Sequence, residues 1–155
     1  MKQILLTKGQ RTLVDDKDFE IAKEFKWYAL FTRSGFRATR IDRKTKKRIY
    51  LSRFLLGVTD SRFVDHINRD TLDNRRSNLR LCTNSQNQVN AKKHSTNTSG
   101  YKGVVFNKKA MKWQAQAQKD NKLEYLGLYE DKASAAKAYE NFMLANFGTF
   151  ADSIL

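Results

Sequence analysis

Between Trp113 and Tyr129 the chain alternates apolar and polar residues: "WQAQAQ", then the turn "KDNK", then "LEYLGLY". A period of two suits strands with one face buried and one face open. "YKGVVF" from Tyr101 supplies a third strand ahead of them. The period then changes. In "DKASAAKAYENFMLANFG", Ala135, Ala138, Tyr139 and Phe142 recur at helical spacing, with Asp131 as N-cap and Gly148 as stop. The fold class this implies is α+β, with a three-stranded antiparallel sheet packed on one helix. Trp113, Ala115 and Ala117 should face that helix, and the small alanines should let it approach closely. Gln114, Gln116 and Gln118 are left on the open face.

The rest of the chain is less regular. "QILLT", "WYALFT", "FRATRI" and "RIYLS" read as short strands, with Asp42–Lys47 as a hairpin turn that projects cations. "DKDFEIAKEF" places Phe19, Ile21, Ala22 and Phe25 at helical spacing behind Asp16 as N-cap. Phe63 to Ile67 reads as another strand, followed by a polar loop and a helix. Thr83 and Gln86 form a capping box for that helix, which sets Asn87 and Asn90 on one face. "NAKKHSTNTSG" is polar and ends in Gly. The expected division is therefore 1–93, a linker at 94–100, and a module at 101–155. His94, inside the linker, is expected to be solvated or in contact with phosphate.

Of 155 residues, 30 are Lys or Arg and 16 are Asp or Glu, a formal net charge of +14. Residues 1–60 hold 15 basic and 7 acidic side chains, whereas residues 101–155 hold 8 and 6. Such an excess implies a polyanionic partner, nucleic acid more commonly than a membrane surface, and no membrane association is expected. One cysteine, Cys82, excludes an internal disulfide, and the missing CxxC pairs argue against structural zinc. No apolar run is long enough for a secretory signal or a membrane span. The expectation is a cytoplasmic protein, in a bacterial cell or encoded by its virus or mobile elements, acting as a monomer or homodimer.

The chemistry concentrates in "VDHINRDTLDNRRSNLRLCTNSQNQVN", Val64 to Asn90, which holds six asparagines and one of two histidines. Hydrolysing a phosphodiester requires a base for water and neutralisation of charge developing at the phosphate. A neutral imidazole can do the first at cellular pH. A hard divalent cation held by carboxylate and amide oxygens can do the second. On these residues the stretch resembles the HNH homing endonucleases of phages and mobile introns. The resemblance implies a ββα-metal core with His66 as general base and Asn78 holding the loop and base in place. It also implies Asp65 and Asn87 as ligands of one Mg²⁺ or Mn²⁺, with Asn90 as a reserve ligand. Cleavage would leave 5′-phosphate and 3′-hydroxyl ends, one strand being nicked per site. The third motif position is an amide, as in the Asn-ending branch of that family, and Ser52-Arg53 stands where relatives read His-Arg.

A basic run precedes the motif, and from it Arg40, Arg48 and Arg53 are the candidate phosphate contacts. The segment from Ser99 to Ala151 is similar to the plant ethylene-response-factor (Apetala-two type) DNA-binding domain, through "YKGV", Trp113, "YLGLY" and "AAKAY". That resemblance implies a sheet lying in the major groove. Lys102 replaces the usual Arg, so Gln114, Gln116 and Gln118 are the candidate base-readers, with Lys102 and Lys112 at phosphates. Cys82 is expected to be a small buried apolar residue. The alternative function is a non-catalytic DNA-binding regulator on an inactive nuclease fold.

Overall fold

The computed structural model of the chain describes residues 1–91, 96–120 and 122–151. His94 and part of the expected linker, and Asn121 in the expected "KDNK" turn, lie outside the described residues. The architecture is mixed α/β: several small antiparallel sheets and few helices. Two compact units divide it, Met1–Cys82 and Thr83–Leu155.

In the first unit, β1 (Lys2–Leu5) and β2 (Arg11–Val14) form a hairpin. Helix α1 (Asp16–Ala22) follows, and then β3 (Tyr28–Thr32), β4 (Gly35–Ile41) and β5 (Arg48–Tyr50) form an antiparallel meander. Helix α2 (Leu51–Leu55) leads to a second hairpin, β6 (Phe63–His66) with β7 (Leu79–Cys82). The core gathers Leu6, Val14, Ala22, Trp27, Ala29, Ala38, Leu51 and Leu55.

Three local expectations need correcting. "RIYLS" is strand only to Tyr50. Leu51 is wholly buried and begins α2, because packing of Leu51 and Leu55 outweighs the β-propensity of the run. The N-cap of α1 is Asp15, not Asp16, and its carboxylate accepts the Arg76 amide at 2.8 Å rather than capping its own helix. Ile21 remains half exposed, so that helix buries a narrower stripe than its spacing suggests. The turn at Asp42 is as its composition implies: Asp42 Oδ1 accepts Thr45 N at 2.7 Å and Lys44 N at 3.1 Å.

The first 62 residues act as a frame for the loop between β6 and β7. Leu13 N donates to Leu72 O and Asn74 N to Leu13 O, each at 2.9 Å. Thr71 Oγ1 donates to Phe36 O at 2.6 Å. Arg76 grips α1 through Asp18, 2.9 Å from its guanidinium, and α2 through Leu55 O at 2.8 Å. These bonds join residues far apart in sequence, and they fix the loop against four separate elements, β2, β4, α1 and α2.

The second unit opens with α3 (Asn84–Asn90), whose N-cap Thr83 and residue Gln86 form the reciprocal capping box. Strands β8 (Val104–Asn107), β9 (Lys112–Lys119) and β10 (Lys122–Tyr129) make an antiparallel sheet with β9 central. Helix α4 (Lys132–Phe147) packs on it, with Ala135 and Ala136 against Val104 and Ala115, and Tyr139 and Met143 beside Ala117 and Val89. Asp131 caps α4 by accepting Ser134 N at 2.8 Å. Gly103 is the tightest point. A Cβ there would stand 2.1 Å from the Tyr139 ring and 2.5 Å from Gln116 O, and its φ is +67°. Only glycine lets the chain pass between ring and carbonyl.

Candidate active site

The register of the β6–β7 hairpin sets Asp65 opposite Arg80 and His66 opposite Leu79. Side chains alternate along a strand, so Asp65 and His66 leave by opposite faces. Asp65 Oδ2 accepts Arg80 Nε at 2.9 Å, and both side chains are largely buried. His66, only 4 % exposed, lies with Nε2 3.2 Å from Asn74 Oδ1.

The tautomer of His66 follows from what lies beyond Asn74. Asn74 Nδ2 donates to Thr12 Oγ1 at 2.8 Å, and that hydroxyl donates to Leu72 O at 2.6 Å. With its amide nitrogen directed to Thr12, Asn74 turns its oxygen to the imidazole. The hydrogen-bond network therefore assigns the hydrogen of the neutral ring to Nε2 and the lone pair to Nδ1. Burial pushes the His66 pKa below its ordinary value, opposed by the Asn74 bond; Arg37 adds to the depression, while Asp65 and Asp70 offset it. At neutral pH the ring is uncharged and able to accept a proton.

Asn78 closes the loop. Its Oδ1 accepts Asn68 N at 2.9 Å, its Nδ2 donates to Asp73 O at 2.8 Å, and its carbonyl accepts Ile67 N at 2.9 Å. Asn68 also reaches Asp73 Oδ2 at 2.9 Å, and Arg75 completes that cluster with a 2.6 Å ion pair. The strand end bearing His66 is thus held at both sides of the turn.

Asn87 is half-buried on α3 of the second unit, and Asn90, one turn on, is buried. Asp65 belongs to the first unit and Asn87 to the second; a carboxylate oxygen and an amide oxygen are each donors of the kind a hard divalent cation takes. Among the described residues no group of three or more His, Cys, Asp or Glu is arranged to hold a metal by itself. Cys82 is buried with its thiol pKa pushed up to about 11, mainly by that burial, which leaves it chemically inert.

The candidate phosphate contacts separate. Arg53 directs its guanidinium at the carbonyls of Val58, Asp60 and Arg62, where the chain folds back after α2. Arg40 lies 4.1 Å above the Phe25 ring, near Trp27 and Phe54, with Asp42 at 3.9 Å. Both cations therefore serve the fold. Arg48 is exposed, and the neighbouring Tyr50 and Tyr28 hydroxyls raise its pKa. In the second unit Lys102 Nζ donates to Val89 O at 2.7 Å, and Lys112 pairs with Glu130 at 2.6 Å. Gln114 accepts from Asn107 and donates to Gln116, each at 2.9 Å, and Gln118 is exposed. Ala115 and Ala117 are buried toward α4, so these amides occupy the other face, beside Val105, Leu123, Tyr125 and Leu128.

Sequence reasoning missed Asn74 and Thr12, the pair that orients His66. They are 62 positions apart, and no periodicity joins them.

The pattern of the HNH endonuclease family matches residues 60–89. Over 146 residues the chain is 27 % identical to an uncharacterized HNH endonuclease of Acanthamoeba polyphaga mimivirus, covering 93 % of this chain and 74 % of that protein. No solved structure matches. The family pattern and the viral relative support a nuclease.

Proposed function

We propose that this chain is a metal-dependent DNA endonuclease of the HNH homing type that hydrolyses one phosphodiester per site, leaving 5′-phosphate and 3′-hydroxyl ends. One observation carries the reading: a buried His66 with Nε2 3.2 Å from Asn74 Oδ1, on the strand that also bears Asp65. His66 Nδ1 takes the proton of the attacking water. Asn74 and Thr12 keep the ring in that tautomer, and Asn78 keeps the strand end and loop in register. Asp65 and Asn87 are the residues that would hold one Mg²⁺ or Mn²⁺ in a ββα-metal core, and that cation would neutralise charge at the scissile phosphate. The amide-bearing sheet face of the second unit would contact the DNA, in the manner of the Apetala-two type, with Lys112 at phosphates.

The test is incubation of the full chain with supercoiled plasmid and host DNA, with Mg²⁺, Mn²⁺ or EDTA, beside His66→Ala. Metal-dependent relaxed or linear product that the variant does not yield is expected. The ion pair of Asp65 with Arg80 favours a second reading, a non-catalytic DNA-binding regulator. That reading requires a mobility shift that survives EDTA, equal in both proteins, with no cleavage of any DNA offered.

A further inference from the structure

We infer that the outer side of the β3–β5 meander, together with its Asp42 turn, is a surface that takes the phosphate backbone of double-stranded DNA, a role that rests on the nuclease reading. From Tyr28 to Tyr50 the chain carries eight basic residues and one acidic residue, Asp42. Register decides where they go. Ala29, Ala38 and Ile49 belong to the core of the first unit, so the opposite side of the sheet carries Tyr28, Arg37, Arg48 and Tyr50. On that side the Arg37 guanidinium carbon lies 5.9 Å from the Tyr50 ring centre, and Arg48 is exposed beside the Tyr50 and Tyr28 hydroxyls. The sheet then runs into a turn whose Arg43, Lys44, Lys46 and Lys47 are all exposed.

The one carboxylate of the turn is occupied by the turn itself. Asp42 Oδ1 accepts Thr45 N at 2.7 Å, Thr45 Oγ1 at 2.9 Å and Lys44 N at 3.1 Å, and its other oxygen faces Arg40 at 3.9 Å. Asp42 O accepts Lys46 N, and Asp42 N donates to Lys47 O, each at 2.9 Å. Arg43, Lys44, Lys46, Lys47 and Arg48 have no ion pair among the described residues. Arginines nearer the motif differ: Arg53 holds three backbone carbonyls, Arg75 pairs with Asp73, Arg76 with Asp18 and Arg80 with Asp65.

A fixed turn that gathers like charges raises their mutual repulsion and returns nothing to the fold. A polyanion reverses that sign. It meets cations whose backbone is already ordered, and each phosphate they neutralise releases a counterion. The surface also shares a frame with the motif, because Phe36 of β4 accepts the 2.6 Å bond from Thr71 in the loop that follows His66. Backbone contacts of this kind set register and carry no sequence information.

Affinity of the full chain for duplex DNA in EDTA should be measured from about 50 to 200 mM salt. The turn variant joins Arg43→Gln, Lys44→Gln and Lys47→Gln, keeping Lys46 because its φ is +59°. A comparison variant joins Lys2→Gln, Lys17→Gln and Lys23→Gln, three exposed cations around α1. The slope of log affinity against log salt should flatten by about 2.7 in the turn variant, about 0.9 per phosphate, and by less than about 1 in the comparison variant. Affinity at about 0.1 M salt should fall roughly 10²- to 10³-fold in the turn variant, with a parental melting midpoint. Arg43→Lys, which keeps the charge, should keep the slope. An unchanged slope in the turn variant, equal flattening in both variants, or flattening by Arg43→Lys would each overturn the inference. Tighter binding of duplex RNA than of DNA, lost in the turn variant, would overturn the choice of DNA. Metal-dependent cleavage with no slope difference would sink this surface alone, whereas a slope difference without any cleavage would sink the nuclease reading alone.

Discussion

Replacing Asn78 by Ala should destabilise the first unit by about 3 kcal/mol. The side chain is 6 % exposed and satisfies two backbone groups, Asn68 N and Asp73 O. Leaving a buried polar group unsatisfied costs about 1–3 kcal/mol. Asp73 is nearly inaccessible and should cost close to the upper figure, about 2 kcal/mol or more. Asn68 is exposed, so its amide can recover water and should cost about 1 kcal/mol. Asn78→Asp tests the same arithmetic from the other side. It keeps an acceptor for Asn68 N but loses the donor to Asp73 O and sets a carboxylate against that carbonyl. At pH 7 it should be at least as damaging as Ala, and it should recover as acid protonates the new carboxyl. Urea unfolding followed by fluorescence isolates the unit. The chain has two tryptophans, Trp27 in the core of the first unit and Trp113 in the second, so a Trp113→Phe background reports through Trp27 alone. With an m-value of about 1.5 kcal/mol/M the midpoint should fall by about 2 M. A drop worth less than about 0.5 kcal/mol, or Asn78→Asp matching the parent at pH 7, would refute the claim that this amide closes the loop.

Other outcomes follow from the same geometry. His66 is held below its ordinary pKa, so below about pH 6.5 the unfolded chain binds a proton that the folded chain does not. Stability of the metal-free protein in EDTA should therefore be full above that pH and fall as acid takes it toward the depressed folded value, and His66→Gln should remove that part of the slope. Thr12→Val removes the hydroxyl that orients Asn74, so the unit should lose about 1 kcal/mol and cleavage should slow, although Thr12 is wholly buried and 60 residues from the Leu72 carbonyl it holds. Gly103→Ala should cost the second unit about 3 kcal/mol or more, read through Trp113, because the added Cβ meets both the Tyr139 ring and the Gln116 carbonyl.

What the sequence disclosed depended on how local the signal is. The alternation of β9, the capping box of Thr83 and Gln86, and the Asp131 cap are all readable within a few residues, and the structure contains each of them. β2, β7 and α2 are four or five residues long, too short for a period to register, and they exist because distant partners pair with them or bury them. His66 was legible as a motif position, but its orientation was not. Asn74 is one of six similar side chains, and its partner Thr12 belongs to a strand that composition does not announce. The bonds of Arg53 were hidden for the converse reason. A cation beside a nuclease-like motif reads as a phosphate ligand, and nothing local signals that the turn from Val58 to Arg62 presents carbonyls its guanidinium gathers.

The abundance of asparagine in the motif has a structural cause that does not compete with catalysis. The chain contains no proline, so its loops are stiffened by side chains rather than by fixed φ angles. An amide can donate and accept at once, which lets Asn68, Asn74 and Asn78 each bridge two groups in the turn after His66. Guanidinium groups extend the same work, Arg75 to Asp73 and Arg76 to Asp18 and Leu55 O. The charges of Arg75 and Arg76 beside the motif therefore help to hold the loop firmly. On the proposed reading, in which His66 presents one nitrogen of one tautomer to a water, that firmness is what catalysis would require of the fold. Weakening any of these bridges should slow cleavage before it weakens DNA binding, whereas neutralising exposed lysines at the Asp42 turn should do the reverse.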